Sequence, residues 1–564
     1  MLDGFDPTTI QDESLRTTVQ SLMTWAEGLA TKLDHALAEI QRLRDENNHL
    51  RGEQGQPTIL PKHARKSIAS ERERAVSRPR TPRITAVPQV DRTEVVAVDH
   101  MHLPADAQFK GYQRVIVRDL RLTTDTICFR KEKWYSSTTR QTYLAPNPPG
   151  YEGQFGPQVK ALTFTLAFES GMSEPKIHGL FRLAGLRISR GQISAMLHGV
   201  GTTFAAERQA ILAAGLRSSP WQHIDATHTR VAGANQHCHI LTNPLYTVYT
   251  TLPQKARLHV LDVLRGGAPR QFWLDHNTER LMRLMDVPRH AQKLVIQTLP
   301  RHALIDEVTL DAWLASAPHM TAKYTKKWIK DALAIAAYHA QRDPPLPVIP
   351  LLIGDDAPQW TMLTEELALC WVHDGRAYKR LEPRLAYHRH VRDQVLTAYW
   401  ALYHALRAYQ QQPTQAEALR LRAAFDALVN QQTGYAALDA RLAITAEKRR
   451  GLLMVLDHPE IPLHNNPAEL GARRRVRKRD VSFGARTVSG ATLWDIGHTL
   501  AATAQQFDIN IHRYVVGRLC GDSQITPLAT CIAERAAALA LGGSWDGRPE
   551  RPAWKPVAVS MWHA

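Results

Sequence analysis

The chain has 564 residues, 44% of them apolar, and 70 Lys and Arg against 54 Asp and Glu, a formal charge of +16. Such a length carries a prior of about four domains with material for several packed cores, and the positive balance makes a polyanion, nucleic acid above all, the expected partner rather than a membrane surface. MLDGFDPTT has neither the basic nor the apolar region of a secretory leader, no run is long and apolar enough to span a bilayer, and five scattered cysteines (Cys128, Cys238, Cys370, Cys520, Cys531) lack a C-x-x-C pair, so an intracellular chain with reduced thiols is expected.

Residues 12–51 carry two interleaved apolar series, Leu15, Leu22, Leu29, Ala36, Leu43, Leu50 and Val19, Ala26, Leu33, Ile40, Asn47. That heptad pattern predicts a coiled coil that dimerises the chain within residues 1–54, with Asn47 at an a position setting a parallel two-stranded register. A solitary amphipathic helix packed on its own chain is the competing reading. Residues 55–96, with PKHARKSIASERERAVSRPRTPR, read as a flexible basic linker, and SRPRTPR is short enough to lie in a minor groove or simply be solvated.

The stretch 97–150 mixes strand-like runs, YQRVIVRDL and TICFRK, with turn residues, and no role attaches to it. Across 151–215 the segment SEPKIHGLFRLAGLRISRGQISAMLHGV has helix-turn-helix spacing, with Ser189 as an N-cap and Arg190 and Gln192 where base contacts are made. A packed helical hairpin has the same spacing.

The strand-like segments WQHIDATHTRV, HCHILTNPLYTVYTTL and ARLHVLDVLRG then predict a three-stranded antiparallel meander. Asp225 lies inside the first, which makes it either outward-facing or functional. After a helical stretch at about 270–342, the apolar run from Val348 to Ile353 stops on Gly354, so Asp355 and Asp356 stand at a strand's carboxyl end or form an ordinary Asp-Asp turn. ELALCWVHDGRAYKRL is a fifth strand candidate, in which Cys370 and His373 are too few for a zinc site and suit a supporting role.

Long helical patterns at 384–455 lead to HNNPAELGARRRVRKRD. Here Asn466 as N-cap, Pro467 at N1 and Glu469 at N3 make a capping box, with Arg473 one turn on as a simple ion-pair partner. Six cations, Arg473, Arg474, Arg475, Arg477, Lys478 and Arg479, crowd within seven positions, which also suits a phosphate backbone.

Taken together, IDATHTRVAG, LIGDDAPQW with CWVHDGRAYKRLEP, and HNNPAELGARRRVRKRDVSFGARTVSGATLWDIGHTLAATA resemble the DDE transposases of the bacterial insertion-sequence sixty-six family. The resemblance covers about 155–515 and is most specific at 464–490. It implies an α/β catalytic core over 216–520, an RNase H-like mixed sheet with helical insertions, followed by a C-terminal tail at 521–564. It further implies Asp225, Asp355 and Glu469 as catalytic ligands of two Mg2+ ions, with Mn2+ able to substitute, and Asp356, Cys370 and His373 in support. The implied partners are transposon ends and target DNA, met by the six cations of the basic helix, and the implied setting is the bacterial cytoplasm and nucleoid. Two departures are visible: residues 97–150 hold only Cys128 where the family carries a cysteine-rich zinc segment, so no zinc is expected, and Asp374 adds a spare carboxylate. A catalytically silent DNA-bridging protein of transposon origin, or a hydrolytic nuclease, are the alternatives to a strand transferase.

Overall fold

The computed structural model describes residues 5–50, 90–99, 104, 106–117, 119–120, 122–317, 322–340 and 346–545. Most of the basic linker, including SRPRTPR, lies outside these residues, as does the end of the C-terminal tail. The strands are β1 Lys133–Ser136, β2 Gln141–Leu144, β3 Trp221–Val231, β4 Ala234–Asn243, β5 Tyr246–Leu252, β6 Gln271–Trp273, β7 Leu304–Asp306, β8 Leu351–Gly354 and β9 Glu366–Leu369. The helices begin with α1 Glu13–Leu50, α2 Pro157–Phe168, α3 Glu174–Leu183, α4 Arg190–Thr203, α5 Ala205–Arg217, α6 Arg257–Leu264, α7 His276–Leu284, α8 Arg289–Thr298, α9 Glu307–Ser316 and α10 Lys323–Ala340. They continue with α11 Trp371–Lys379, α12 Ala386–Tyr409, α13 Gln415–Val429, α14 Ala436–Glu447, α15 Arg449–Leu452, α16 Asn466–Ser482, α17 Val488–Gln506, α18 Ile511–Leu519 and α19 Leu528–Leu539.

Five strands form one mixed sheet in the order β5-β4-β3-β8-β9. β3, β4 and β5 are an antiparallel meander, whereas β8 joins β3 in parallel and β9 joins β8 in parallel. The β5 edge is closed by side chains one helical turn apart on α17: Asp495, Thr499 and Thr503 accept from the backbone N–H groups of Thr251, Tyr249 and Thr247 at 2.7, 3.1 and 3.3 Å. A strand edge that would otherwise offer free donors is thereby covered. α16 lies against β3 and β4, and its approach is tight because Gly471 has no side chain: a Cβ there would meet Ile240 Cγ2 at 2.8 Å.

One large core joins the α2–α10 region, one side of the sheet and α17–α19, while a second gathers α12–α14 around β8 and β9. Trp371 stands in the middle of the second, against Tyr399, Tyr403 and Phe425, and its indole donates to Leu452 O at 2.6 Å. The helical insertion at 384–455 is thus packed on the strands that carry the candidate site.

Several expectations need correction. ARLHVLDVLRG is not a strand but α6, because Val260, Leu261, Val263 and Leu264 recur at helical spacing and are all buried. The meander instead takes two strands from HCHILTNPLYTVYTTL, folded at Asn243–Tyr246. The described residues of YQRVIVRDL and TICFRK lie outside regular structure; the hairpin described in that region is β1–β2. Only Glu366–Leu369 of the fifth candidate is a strand, and Cys370 caps a helix that carries His373.

α1 is a 38-residue helix that rests on its own chain along one face: Met23 is buried, Glu27 meets His388 and the Arg384 backbone, and Asp34 pairs with Arg384. Leu15, Leu22, Leu29, Leu33, Ile40 and Leu43 stay exposed on it. Among the described residues no helix is long and apolar enough to cross a membrane.

Candidate functional site

β3 and β8 run in parallel with His223 opposite Ile353, so Asp225 and Asp355, each two residues further on, follow the same register and side of the sheet. Asp355 stands immediately past Gly354, the last residue of β8. Its Oδ1 accepts from Trp360 Nε1 at 2.6 Å and from Ala357 N at 3.2 Å, which fixes the carboxylate on a tight turn. Glu469, in the first turn of α16, comes within electrostatic reach of Asp225.

What brings α16 there is a buried asparagine. Asn465 donates its amide to Ile224 O at 2.8 Å, accepts from His223 Nδ1 at 2.9 Å, and donates its backbone N–H to Cys370 Sγ at 3.2 Å. Burial pulls the His223 imidazole down to about 3, so it is neutral and its Nδ1 carries the proton that Asn465 accepts. Desolvation likewise pushes the Cys370 thiol up to about 12, an uncharged acceptor rather than a thiolate ligand. The capping box expected here is absent: the N-cap is Asn465, its side chain is spent on β3, and Glu469 falls at the fourth helical position.

Glu469 does not pair with Arg473. Its Oε2 accepts from Arg376 Nη2 at 3.1 Å, and its Oε1 lies 3.8 Å from His373 Nδ1, an ion-pair distance too long for a hydrogen bond. Oε1 is buried without a hydrogen-bond partner. His373, opposed by desolvation and aided by Arg376, holds this carboxyl down to about 2, and the nearby acids in turn raise the imidazole. Asp225 behaves oppositely. Desolvation, then the charges of Asp355 and Glu469, push it up to about 7, so both of these acids lie within electrostatic reach of Asp225. As they stand they are not drawn into a cage: among the described residues no group of three His, Cys, Asp or Glu is arranged to hold a metal ion.

The other acids have partners. Asp356 turns out to solvent and pairs with Lys448, while Asp374, expected as a spare carboxylate, is buried against Arg441, Lys448, Thr445 and Tyr399. The basic helix divides as well. Arg473 and Arg477 are exposed; Arg474 reaches Gln505; Arg479 donates to His228 O at 2.8 Å. Arg475 and Lys478, expected on a DNA surface, are buried: Arg475 pairs with Asp495 between Tyr249 and Trp494, and Lys478 donates to Met172 O at 2.7 Å beside Phe168. A helix packed along the sheet must turn one side inward, and these two lie on it. In α4, Arg190 is exposed, but Gln192 closes the capping box of Ser189 and binds Gln154, so its amide is already occupied.

Sequence reasoning missed Arg376, Trp360 and Asn465, although all three stand in the quoted runs CWVHDGR, DDAPQW and HNNP. Lys448 carried no signal.

Fold and site together define an α/β protein with one acid inside β3, one just past the carboxyl end of the adjacent parallel strand β8, and a cationic helix beside them. Residues 359–493 match the family model described as Transposase IS66 family, a segment that holds Cys370, His373, Arg376 and Glu469 and begins just after Asp355. The chain is also similar to "Uncharacterized protein y4jO" of Sinorhizobium fredii, 29% identical over 332 residues, which are 58% of this chain and all of that protein. No solved structure matches.

Proposed function

We propose that this chain is a DDE transposase that cuts and joins the DNA ends of a bacterial insertion sequence, on an RNase H-like core. The observation that carries the reading is the meeting of Asp225, Asp355 and Glu469, from β3, β8 and α16, within a chain whose 359–493 segment matches a transposase family. A divalent-ion pair suits these residues: all three donors are hard carboxylate oxygens, their like charges repel, and Glu469 Oε1 is buried and unsatisfied. Two Mg2+ ions, or Mn2+ in their place, would supply an activated hydroxyl and a stabilised leaving oxygen.

The chain's own residues do the rest. His373, Arg376 and the α16 amino terminus keep Glu469 ionised, Trp360 orients Asp355, and Asp225 must release its proton before it binds a cation. Arg473 and Arg477, exposed one and two turns beyond Glu469, meet phosphates of the incoming strand. In this reading 151–215 contacts DNA through Arg190, and α1 pairs two copies through its exposed leucines in the bacterial cytoplasm.

A catalytically silent DNA-bridging protein is the second reading, favoured by the pairing of Glu469 with Arg376 and His373. The deciding experiment is a Mg2+-dependent cleavage and joining assay on the element's own flanking DNA. Asp225→Asn, Asp355→Asn and Glu469→Gln are each expected to abolish both steps with DNA affinity retained. Parent protein that binds these ends but neither cuts nor joins them supports the silent reading, and cleavage without joining supports a nuclease.

A further inference from the structure

A cavity of about 380 Å³ opens beside the turn Pro358–Trp360, lined by His237, Gln254, Lys255, Arg257, Lys327 and Gln359 among others. Its walls come from separate parts of the chain: β4, the β5–α6 connection, α6, α10 and the turn after β8. Arg257 forms its inner side. That guanidinium donates to Thr361 O, Thr361 Oγ1 and Pro358 O at 3.1, 2.8 and 3.0 Å, and lies 3.8 Å from Asp331, which is fully buried and accepts no hydrogen bond. Asp331 is the acid set against these cations, and it stands behind Arg257 rather than on the cavity wall.

Lys255 and Lys327 differ from Arg257. Both are exposed, both line the cavity, and among the described residues neither ammonium group takes part in an ion pair or a hydrogen bond. Lys330, one turn along α10 from Lys327, shows the ordinary alternative, paired with Glu307 and Asp311 at 2.8 and 2.7 Å. Two unpaired ammonium groups beside His237 and two glutamine amides make a concave surface whose charge and donors suit a phosphate oxygen.

The position of the cavity matters as much as its charge. His237 is opposite His228 on β3, three residues past Asp225, and the turn that forms one wall carries the Trp360 indole bound to Asp355. We infer that this cavity is a second phosphate-binding position, which seats a backbone phosphate of duplex DNA on the α6–α10 side of the acid cluster. The inference rests on the DNA reading above. Lys255 and Lys327 supply the charge, and Gln254 and Gln359 supply adjustable hydrogen bonds. A duplex gripped here and at Arg473 and Arg477 would be held at two places.

The test is binding of a short duplex of arbitrary sequence to the full chain across a salt series, comparing the parent with Lys255→Gln/Lys327→Gln. Two lost phosphate contacts flatten the slope of log affinity against log salt by roughly 1.8, at about 0.9 each. Lys255→Glu alone, in a loop between β5 and α6, gives a second variant that disturbs no helix and is expected to weaken binding to every sequence alike. Unchanged slope and affinity in both variants, against a parent that binds, overturn the cavity and leave the DNA reading standing. A parent that binds no duplex at any salt concentration overturns both.

Discussion

The side-chain amide of Asn465 is bonded to the carbonyl of Ile224 at 2.8 Å, one residue before Asp225 and one helical turn before Glu469. A single buried group therefore sets how far the α16 acid stands from the β3 acid. Asn465→Ala leaves the Ile224 carbonyl and His223 Nδ1 without their partner, and is expected to cost about 1–3 kcal/mol in chemical denaturation. Metal-dependent cleavage should fall further than that loss of folded protein explains. Equal losses in stability and in cleavage would reduce Asn465 to a packing residue.

Asp225 gives a pH-dependent expectation. Its folded carboxyl is raised to about 7 against an ordinary 3.8, so the folded protein keeps a proton that the unfolded chain has released. Stability from this group is present at low pH and declines as pH rises from about 4 through 7, by a few kcal/mol in all. Asp225→Asn removes that dependence. In the presence of a chelator it should melt higher than the parent at pH 8, with a smaller difference at pH 5. Identical differences at the two pH values would separate Asp225 from the other two carboxylates.

The arginines of α16 should divide sharply. Arg475→Ala strands Asp495 in the interior, which for buried pairs costs about 3–5 kcal/mol, so a large drop in melting temperature is expected. Arg473→Ala/Arg477→Ala should melt within a few tenths of a kcal/mol of the parent and flatten the salt slope of duplex binding by roughly 1.8. A stable Arg475→Ala protein with impaired DNA binding would reverse this assignment.

α1 offers a test of assembly. Its inner side is held by Gln20, Met23, Glu27 and Asp34, leaving Leu22, Leu29 and Leu43 exposed. On the proposed pairing of two copies through α1, the parent should sediment as a dimer, and replacing those three leucines with Glu should give a monomer without lowering the melting temperature of the rest. A dimer that survives the substitution lies on another surface.

The turn after α16 gives a structural expectation. Phe483 ends the helix in the left-handed region at φ 58°, and Gly484 follows at φ 110°, where a Cβ would meet Arg230 O at 2.6 Å. Ala485 can then bridge to β3 through Arg230 O and the Ala232 N–H, both at 2.9 Å. Gly484→Ala should destabilise the protein by more than about 1 kcal/mol, read from its denaturation midpoint.

Patterns that depend on neighbours in the chain were legible. The α1 helix, the strand ending at Gly354, the Ser189 N-cap and the long helices of the insertion all follow from local periodicity and turn chemistry. Asp225 and Asp355 stood out because a charge inside a strand or at its end is out of place, and only the resemblance joined Glu469 to them. Short apolar runs were not legible, since VLDVL fits strand and helix equally until packing selects one, and so ARLHVLDVLRG was misread. The partners of charged groups were not legible either. Whether Arg475 faces DNA or Asp495, whether Glu469 pairs with Arg473 or Arg376, and whether Asp374 is spare or buried depend on which side of each helix meets the sheet. That choice is made by contacts between residues hundreds of positions apart, such as Asn465 with Ile224 and Gly471 with Ile240, and no local pattern encodes it.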